Sequence, residues 1–259
     1  MGQNFLVSGD ALHAVLDAAD LHPGDRVLEV GPGVGTLTAA LVQLVGCVVA
    51  LELDPQLVEI VRAELAGAPN LAVVQGDALT VDHPPLVAEH CGEGPYKVVA
   101  NLPYYITSHV LRRLLETEPR PTSIAVMVQA EVAERVVAEP PNMSLLAVSV
   151  QYYAEPRASA RVPAEAFVPR PEVDSAVLSM TVHPAPLFPE HTAQRYFSIV
   201  SAGFGQKRKT LSNSLSSNLK LPKATVVEAL LAAHVDPRAR AQTLTLDEWA
   251  EVCRTLPES

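Results

Sequence analysis

The chain has few cysteines, a shortage of positive charge and no long hydrophobic run, and each shortage narrows what it can be. Its 259 residues contain three cysteines, Cys47, Cys91 and Cys253, an odd number at wide spacing. That fits neither a disulfide framework nor a zinc site, so no metal is expected. Buried, reduced thiols are expected instead, which suits the cytoplasm. No apolar run reaches the roughly 18 residues of a membrane-spanning helix, so no membrane partner is expected. Residues 1–6 lack a basic stretch followed by an apolar core, so no signal peptide is expected at the start. Leu6 stands where a myristoylation motif needs Ser or Thr. No internal repeat or low-complexity segment is evident.

Lys and Arg number 19 against 29 Asp and Glu, a formal net charge of -10. Taken as a sum, this argues against a nucleic-acid partner, because phosphate binding needs local positive potential. The distribution matters more than the sum. Lys207-Arg208-Lys209, Lys220 with Lys223, Arg238 with Arg240, and Arg112-Arg113 concentrate much of the positive charge. The Arg112-Arg113 pair reads as a solvated face. Hydrophobic residues at 48% and charged residues at 19% make an ordinary globular balance. The length accommodates one large α/β domain and a small one.

The order of elements supports that division. A helical spacing over 10–21 precedes a buried strand at 26–30, the turn Gly31-Pro32-Gly33-Val34-Gly35 and a helix over 36–45. Strand, glycine-rich turn and helix form the first unit of a Rossmann-type sheet. Strands follow at 48–51, 71–74, 97–100 and 123–128, with helices at 55–66, after Thr107 or Ser108 as cap, and at 131–138. Residues 83–95 read as a Pro- and Gly-rich loop. The alternation predicts a parallel, doubly wound sheet. From residue 147 the pattern changes: 147–154 and 158–162 read as β-rich, and 175–182 as a closing strand. The Pro-rich stretch 183–189 is a stiff linker. Only helical signals follow, at 192–204, 207–219, 222–234 and 245–255, the last with Thr245 as N-cap. The expected boundary lies near 185, with a catalytic domain over 1–185 and a small all-helical domain over 186–259.

Three signals in register point to a cofactor. Gly31, Gly33 and Gly35 alternate, a spacing unlike the dinucleotide G-x-G-x-x-G fingerprint, which disfavours NAD. No phosphate-binding Lys follows, which excludes a Walker loop. Glu52 ends the next strand, where a carboxylate can bind both hydroxyls of a ribose. Asp77 ends the third strand, within reach of an adenine amino group. A positively charged, phosphate-free nucleoside fits best, and S-adenosylmethionine is one.

The strand at 97–100 runs into Asn101-Leu102-Pro103-Tyr104. An adenine exocyclic amine is a poor nucleophile because its lone pair is delocalised into the ring. Accepting both of its hydrogens favours pyramidalisation and frees the lone pair. The Asn101 side-chain oxygen and the Leu102 carbonyl are candidate acceptors, and Tyr104 is a stacking surface. No strong base is required, so what remains is positioning.

Together these residues carry a family resemblance. Gly2-Gln3-Asn4-Phe5-Leu6, Glu29 to Gly35, Glu52-Leu53-Asp54, Gly76-Asp77-Ala78, Asn101 to Tyr104, Gln129 to Val137, Phe167 to Leu178 and Phe204 to Leu215 resemble the small-subunit rRNA adenine N6,N6-dimethyltransferase family (KsgA/RsmA type). The resemblance spans nearly the whole chain. It implies a Rossmann-like class I methyltransferase sheet with a small C-terminal helical domain, and an enzyme active in ribosome biogenesis. That enzyme would methylate two adjacent adenosines near the 3′ end of small-subunit rRNA, acting as a monomer on the small ribosomal subunit. It further implies S-adenosylmethionine contacts from Asn4, Leu6, Gly31, Glu52, Asp77 and Asn101, with Gln3, Gly33, Leu53 and Ala78 lining the same pocket. Asn101, Leu102, Pro103 and Tyr104 would hold the target adenine, with Phe167 against its other face, and Lys207, Arg208 and Lys209 would grip rRNA. Relatives usually carry a Tyr-Gly pair where this chain reads Asn142-Met143-Ser144-Leu145-Leu146. The sister family of large-subunit rRNA methylases tends to have Ile where this chain has Leu102. A non-catalytic binding module is disfavoured by intact Asn101 and Tyr104.

Overall fold

A computed structural model describes residues 4–185, 187–206 and 208–257. Gln3 and Lys207, both expected to contribute to binding, lie outside the described residues. By contacts the chain divides into two compact units, one holding the residues up to Glu134 with Ala154–Pro184, the other Arg135–Tyr153 with the residues from Ala185 on.

The first unit begins with β1 (Phe5–Leu6), α1 (Gly9–Ala19), β2 (Arg26–Val30), α2 (Thr36–Leu44), β3 (Cys47–Glu52), α3 (Pro55–Glu64) and β4 (Leu71–Gln75). It continues with α4 (His83–Cys91), β5 (Lys97–Asn101), α5 (Thr107–Glu116), β6 (Ser123–Gln129) and the start of α6 (Ala130–Val136), whose last two residues group with the second unit. After α7 (Leu145–Gln151), which belongs to the second unit, come β7 (Ala154–Val162), β8 (Phe167–Val168) and β9 (Ser175–Val182). Seven strands form one sheet in the order β4-β3-β2-β5-β6-β9-β7. The pairs from β4 to β6 are parallel and those involving β9 antiparallel. The central strands are buried along their length, as parallel strands covered on both faces must be. The chain moves outward from β2 to β3 and β4, then returns to the other side of β2 at β5. That reversal opens a crevice at the carboxyl ends of β2 and β5, where ligands bind in open α/β sheets.

Two segments differ from their sequence patterns. Residues 83–95, expected to be a loop, contain α4. Pro84 and Pro85 sit in its first turn, where helical N–H groups have no intrahelical acceptor and the fixed φ of proline is already helical. Residues 147–154, expected to be β-rich, contain α7, capped by the Ser144 hydroxyl, which accepts from the Ala147 amide at 3.0 Å. Five consecutive residues, Leu146 to Val150, are buried, all but Ser149 apolar, so the helix has no polar face and its sequence has the pattern of a buried strand. At α5, Ile106 takes the cap position and the Thr107 hydroxyl donates to the Pro103 carbonyl, so neither expected capping side chain is used as a cap.

The second unit contains α7, α8 (Ala193–Phe204), α9 (Leu211–Leu219), α10 (Lys223–Ala232) and α11 (Leu246–Thr255). Contrary to a single cut near 185, Arg135–Tyr153 group with it. The reason is aromatic packing: Tyr152 lies 4.7 Å from Tyr196, 5.0 Å from Phe197 and 6.0 Å from Phe188, ring centre to ring centre. At the other end of α8, Trp249 packs so closely over Gly203 that a Cβ there would clash with the indole. Thr245 and Glu248 close a capping box at the start of α11.

Cys47 and Cys91, expected as reduced thiols, form a disulfide between the start of β3 and the end of α4. Only the helix, absent from the sequence pattern, brings the two Cα atoms to 5.7 Å. Cys253 is free and fully buried, and burial pushes its thiol up to about 12, which leaves it unreactive. Closing a loop across 44 residues restricts the unfolded chain. Reduction should therefore cost ~4 kcal/mol of unfolding free energy, read as a lower urea midpoint with reductant than without.

Candidate active site

Four parallel strands end side by side, and each delivers one expected site element. After β2, Gly31, Gly33 and Gly35 all take positive φ (72°, 59° and 88°). At Gly33 a side chain is excluded twice, by that φ and by the Phe5 ring, 3.2 Å from where a Cβ would stand. At the end of β3 the Glu52 carboxylate is 2% exposed. It accepts from the Gly33 amide at 3.1 Å and from the Asp54 amide at 3.0 Å. After β4, Asp77 accepts from the Leu79 amide at 2.8 Å, and Ala78 beside it is buried. Leu53 is 44% exposed next to Glu52, an apolar surface at the same sheet edge. At the end of β5, Asn101 donates to the Asn4 carbonyl at 3.3 Å, which leaves its side-chain oxygen as a free acceptor.

One cavity joins the glycine turn to the end of β5, while Glu52, Leu53, Asp77 and Ala78 do not line it. Asn4, Leu6, Gly31 and Gly33 line it together with Asn101, Leu102, Pro103 and Tyr104. The Leu102 carbonyl accepts no hydrogen bond among the described residues. The Tyr104 hydroxyl lies 2.7 Å from the Ser175 hydroxyl, which anchors the ring by its far end. Burial raises the Tyr104 phenol above its ordinary value, so it stays protonated at neutral pH. The cavity measures about 50 Å³. Ligand pockets run to about 300–1,000 Å³. The N-terminal segment lies across this cavity, Asn4 tied to Asn101 and Phe5 over Gly33.

Phe167, expected against one face of the base, does not line the cavity. It is 1% exposed in the hydrophobic core. β8 pairs antiparallel with β1, Leu6 opposite Phe167, and strand alternation turns Phe167 inward while Val168 is 57% exposed. Two contributors were missed in the sequence. Ser175 carries no motif of its own, and its pairing with Tyr104 spans 71 residues. Glu29 lies one residue before the strand end, where a buried strand normally places an apolar side chain.

Glu29 is 1% exposed and lines the cavity, and its Oε2 has no hydrogen-bond partner among the described residues. Burial raises its carboxyl to about 8, offset in part by the Thr38 hydroxyl and reinforced by the nearby Glu52. An orphaned, buried carboxyl oxygen, a strand-end carboxylate held by two amides, and a lining with no Lys or Arg together suit a cationic nucleoside. They do not suit a phosphorylated ligand. In the folded chain Glu29 holds a proton that the unfolded chain releases above pH 4.5 or so. Its contribution is complete below that pH and is lost as the pH rises toward about 8. Glu29→Gln should therefore flatten the fall in thermal midpoint over this window, measured without ligand against the wild type.

The expected RNA-binding residues Arg208 and Lys209 are exposed in the second unit. There the charge balance reverses. The first unit has nine Lys and Arg against 21 Asp and Glu, the second ten against eight. Every basic side chain of the first unit is engaged. Six pair with carboxylates, Arg170 with Glu165, and Arg26 and Arg113 donate to backbone carbonyls. In the second unit Arg135, Arg208, Lys209, Lys220, Lys223, Arg238 and Arg240 have no side-chain partner among the described residues.

Comparison with known proteins accords with this geometry. The family model for ribosomal RNA adenine dimethylase matches residues 1–257. A protein of Moorella thermoacetica named ribosomal RNA small subunit methyltransferase A is 45% identical over 262 residues, covering 98% of this chain and 91% of that protein. A protein of the same name from Dehalococcoides mccartyi (strain CBDB1) is 42% identical over 253 residues, covering 98% and 86%. Among solved structures, the 23S rRNA methyltransferase ErmE is 30% identical with a TM-score of 0.76, covering 98% of this chain and 99% of that one. A dimethyladenosine transferase from Plasmodium falciparum shares the fold, with a TM-score of 0.80 at 23% identity and coverage of 96% and 95%. With its glycine turn, strand-end acids and Asn-Leu-Pro-Tyr stretch gathered on one sheet edge, the chain belongs to the ribosomal RNA adenine dimethylase family.

Proposed function

We propose that the protein transfers methyl groups from S-adenosylmethionine to N6 of two adjacent adenosines near the 3′ end of small-subunit rRNA, as a monomer in the cytoplasm. One observation carries the reading: the free acceptors of Asn101 and Leu102 open onto the same cavity as the glycine turn. The full-length relatives named for the small subunit, at 42–45% identity, favour that subunit over the large-subunit substrate in the name of the 30% identical structure.

S-adenosylmethionine would supply an electrophilic methyl on a sulfonium. The chain's own residues do the rest. Glu52 holds the ribose hydroxyls with the lone pairs its two amide donors leave free. Gly31 and Gly33 let the backbone approach closely, while Asn4 and Leu6 cover the pocket and Leu53, Asp77 and Ala78 border the adenine of the donor. Asn101 Oδ1 and the Leu102 carbonyl accept the two hydrogens of the target amine. Pro103, lacking an N–H, presents no competing donor there. Tyr104, anchored through Ser175, stacks on the target base. Attack precedes proton loss, so no residue acts as a base, and the protonated Tyr104 fits that role. The unpaired cations of the second unit attract the rRNA backbone.

Asn101→Ala should abolish methyl transfer to unmodified small subunits while leaving part of the S-adenosylmethionine affinity. Near-normal turnover of labelled methyl donor would refute its role. Parallel assays on large subunits and naked rRNA test the substrate. Charge reversal at Arg208 and Lys209 should weaken subunit binding and lower its salt slope by about two. An unchanged slope would make these residues a solvated face.

A further inference from the structure

A second cavity, of about 320 Å³, is lined wholly by residues of the second unit. That volume reaches the range of small-ligand pockets, about 300–1,000 Å³. Its wall is chemically mixed. Met143, Leu145 and Phe204 are apolar, Gln242 carries both a donor and an acceptor, and Arg135 and Lys209 are cationic. Both cations lack a side-chain partner among the described residues, whereas every basic side chain of the first unit is engaged. Phe204 is held in place from behind, its ring 5.8 Å from that of the buried Trp249 at an interplanar angle of 32°. The Met143 amide donates to the Gln242 carbonyl at 3.0 Å, which fixes two walls of the cavity to each other. The Asn142–Leu146 segment, the departure from the family pattern, supplies one of those walls.

Aromatic surface, amide edge and paired cations are the three elements that recognise a nucleotide: a stacking face for the base, a hydrogen-bonding partner for its rim and charge for its phosphates. We infer that this cavity receives one unstacked nucleotide of the rRNA, distinct from the adenosines that are methylated. The inference rests on the RNA-methylating reading. Phe204 takes the base, Gln242 contacts its edge, and Arg135 and Lys209 neutralise the flanking phosphates. Met143 and Leu145 close the apolar side. The pocket thereby adds shape and register to a surface that would otherwise attract RNA by charge alone.

Ser201, on the exposed part of the same wall, permits a test with no change of charge. Trp249, the single tryptophan of the chain, reports on Phe204 by fluorescence. The full-length protein is titrated with a short single-stranded oligoribonucleotide of mixed sequence, with adenosine 5′-monophosphate as control. Methyl transfer to unmodified small subunits is measured alongside. The wild type should show a saturable change in Trp249 emission. Ser201→Leu, which fills the cavity, should weaken oligonucleotide binding and raise KM for subunits by about ten-fold, with S-adenosylmethionine affinity unchanged. Arg135→Ala should lower the salt slope by about one. Unchanged oligonucleotide affinity and KM in Ser201→Leu would overturn the inference, as would adenosine 5′-monophosphate binding as tightly as the oligonucleotide. Absence of methyl transfer by the wild type would instead overturn the proposed function, so the two failures are separable.

Discussion

The two hydrogen bonds accepted by Glu52, from the Gly33 and Asp54 amides, hold the site together. They tie the glycine turn after β2 to the end of β3, beside the Gly31 amide, which donates to the Leu51 carbonyl at 2.9 Å. Gly33 has no side chain with which to pack, and its positive φ leaves its amide free of the helix that follows. A charged acceptor is the natural partner for such an amide, and charge-assisted bonds of this kind exceed neutral ones in strength. The same carboxylate reaches Glu29 through its field. By helping to keep that buried carboxyl protonated, Glu52 lets an acidic side chain line the cavity without an uncompensated charge.

Around that fixed edge the remaining parts are held by unlike means. Asn101 is oriented by a backbone carbonyl 97 residues away, and Tyr104 by a hydroxyl 71 residues away. Both tethers reach the carboxyl end of β5 from segments brought there by the fold, Asn4 beside β1 and Ser175 at the start of β9. The β1–β8 ladder keeps the N-terminal segment over the glycine turn. It therefore completes one wall of the pocket.

Charge is partitioned as sharply as structure. A net charge of -10 conceals a first unit in which every basic side chain is already engaged and a second in which most have no side-chain partner among the described residues. The acidic excess of the first unit suits a site for a cation. The unpaired arginines and lysines of the second retain their full field for a polyanion. Net charge describes neither, because binding responds to local potential over roughly a Debye length, about 8–10 Å in physiological salt.

Local chemistry made much of this legible in the chain itself. Strand–glycine turn–helix order, Glu52 and Asp77 at successive strand ends, and Asn-Leu-Pro-Tyr after β5 follow from short-range patterns, since a parallel sheet places consecutive strand ends on one edge. The capping box of α11 was equally readable, being complete within four residues. Other features had no local signature. An all-buried helix and a buried strand share one hydrophobic pattern, so α7 was not distinguishable from β structure. Its assignment to the second unit depended on Tyr152 meeting rings more than thirty residues away. α4 was hidden by prolines that read as a loop, and with it the Cys47–Cys91 bond, which needs that helix to bring its ends together. The inward turn of Phe167 came from its register against β1. Short-range pattern carried the parallel core of the sheet, the order of its strand-end groups and the family resemblance, but neither the antiparallel β9 pairings nor the β1–β8 ladder. Tertiary structure alone decided which side chains face the cavity, which cysteines meet and which charges stay unpaired, because each depends on contacts between residues tens of positions apart, where periodicity carries no information.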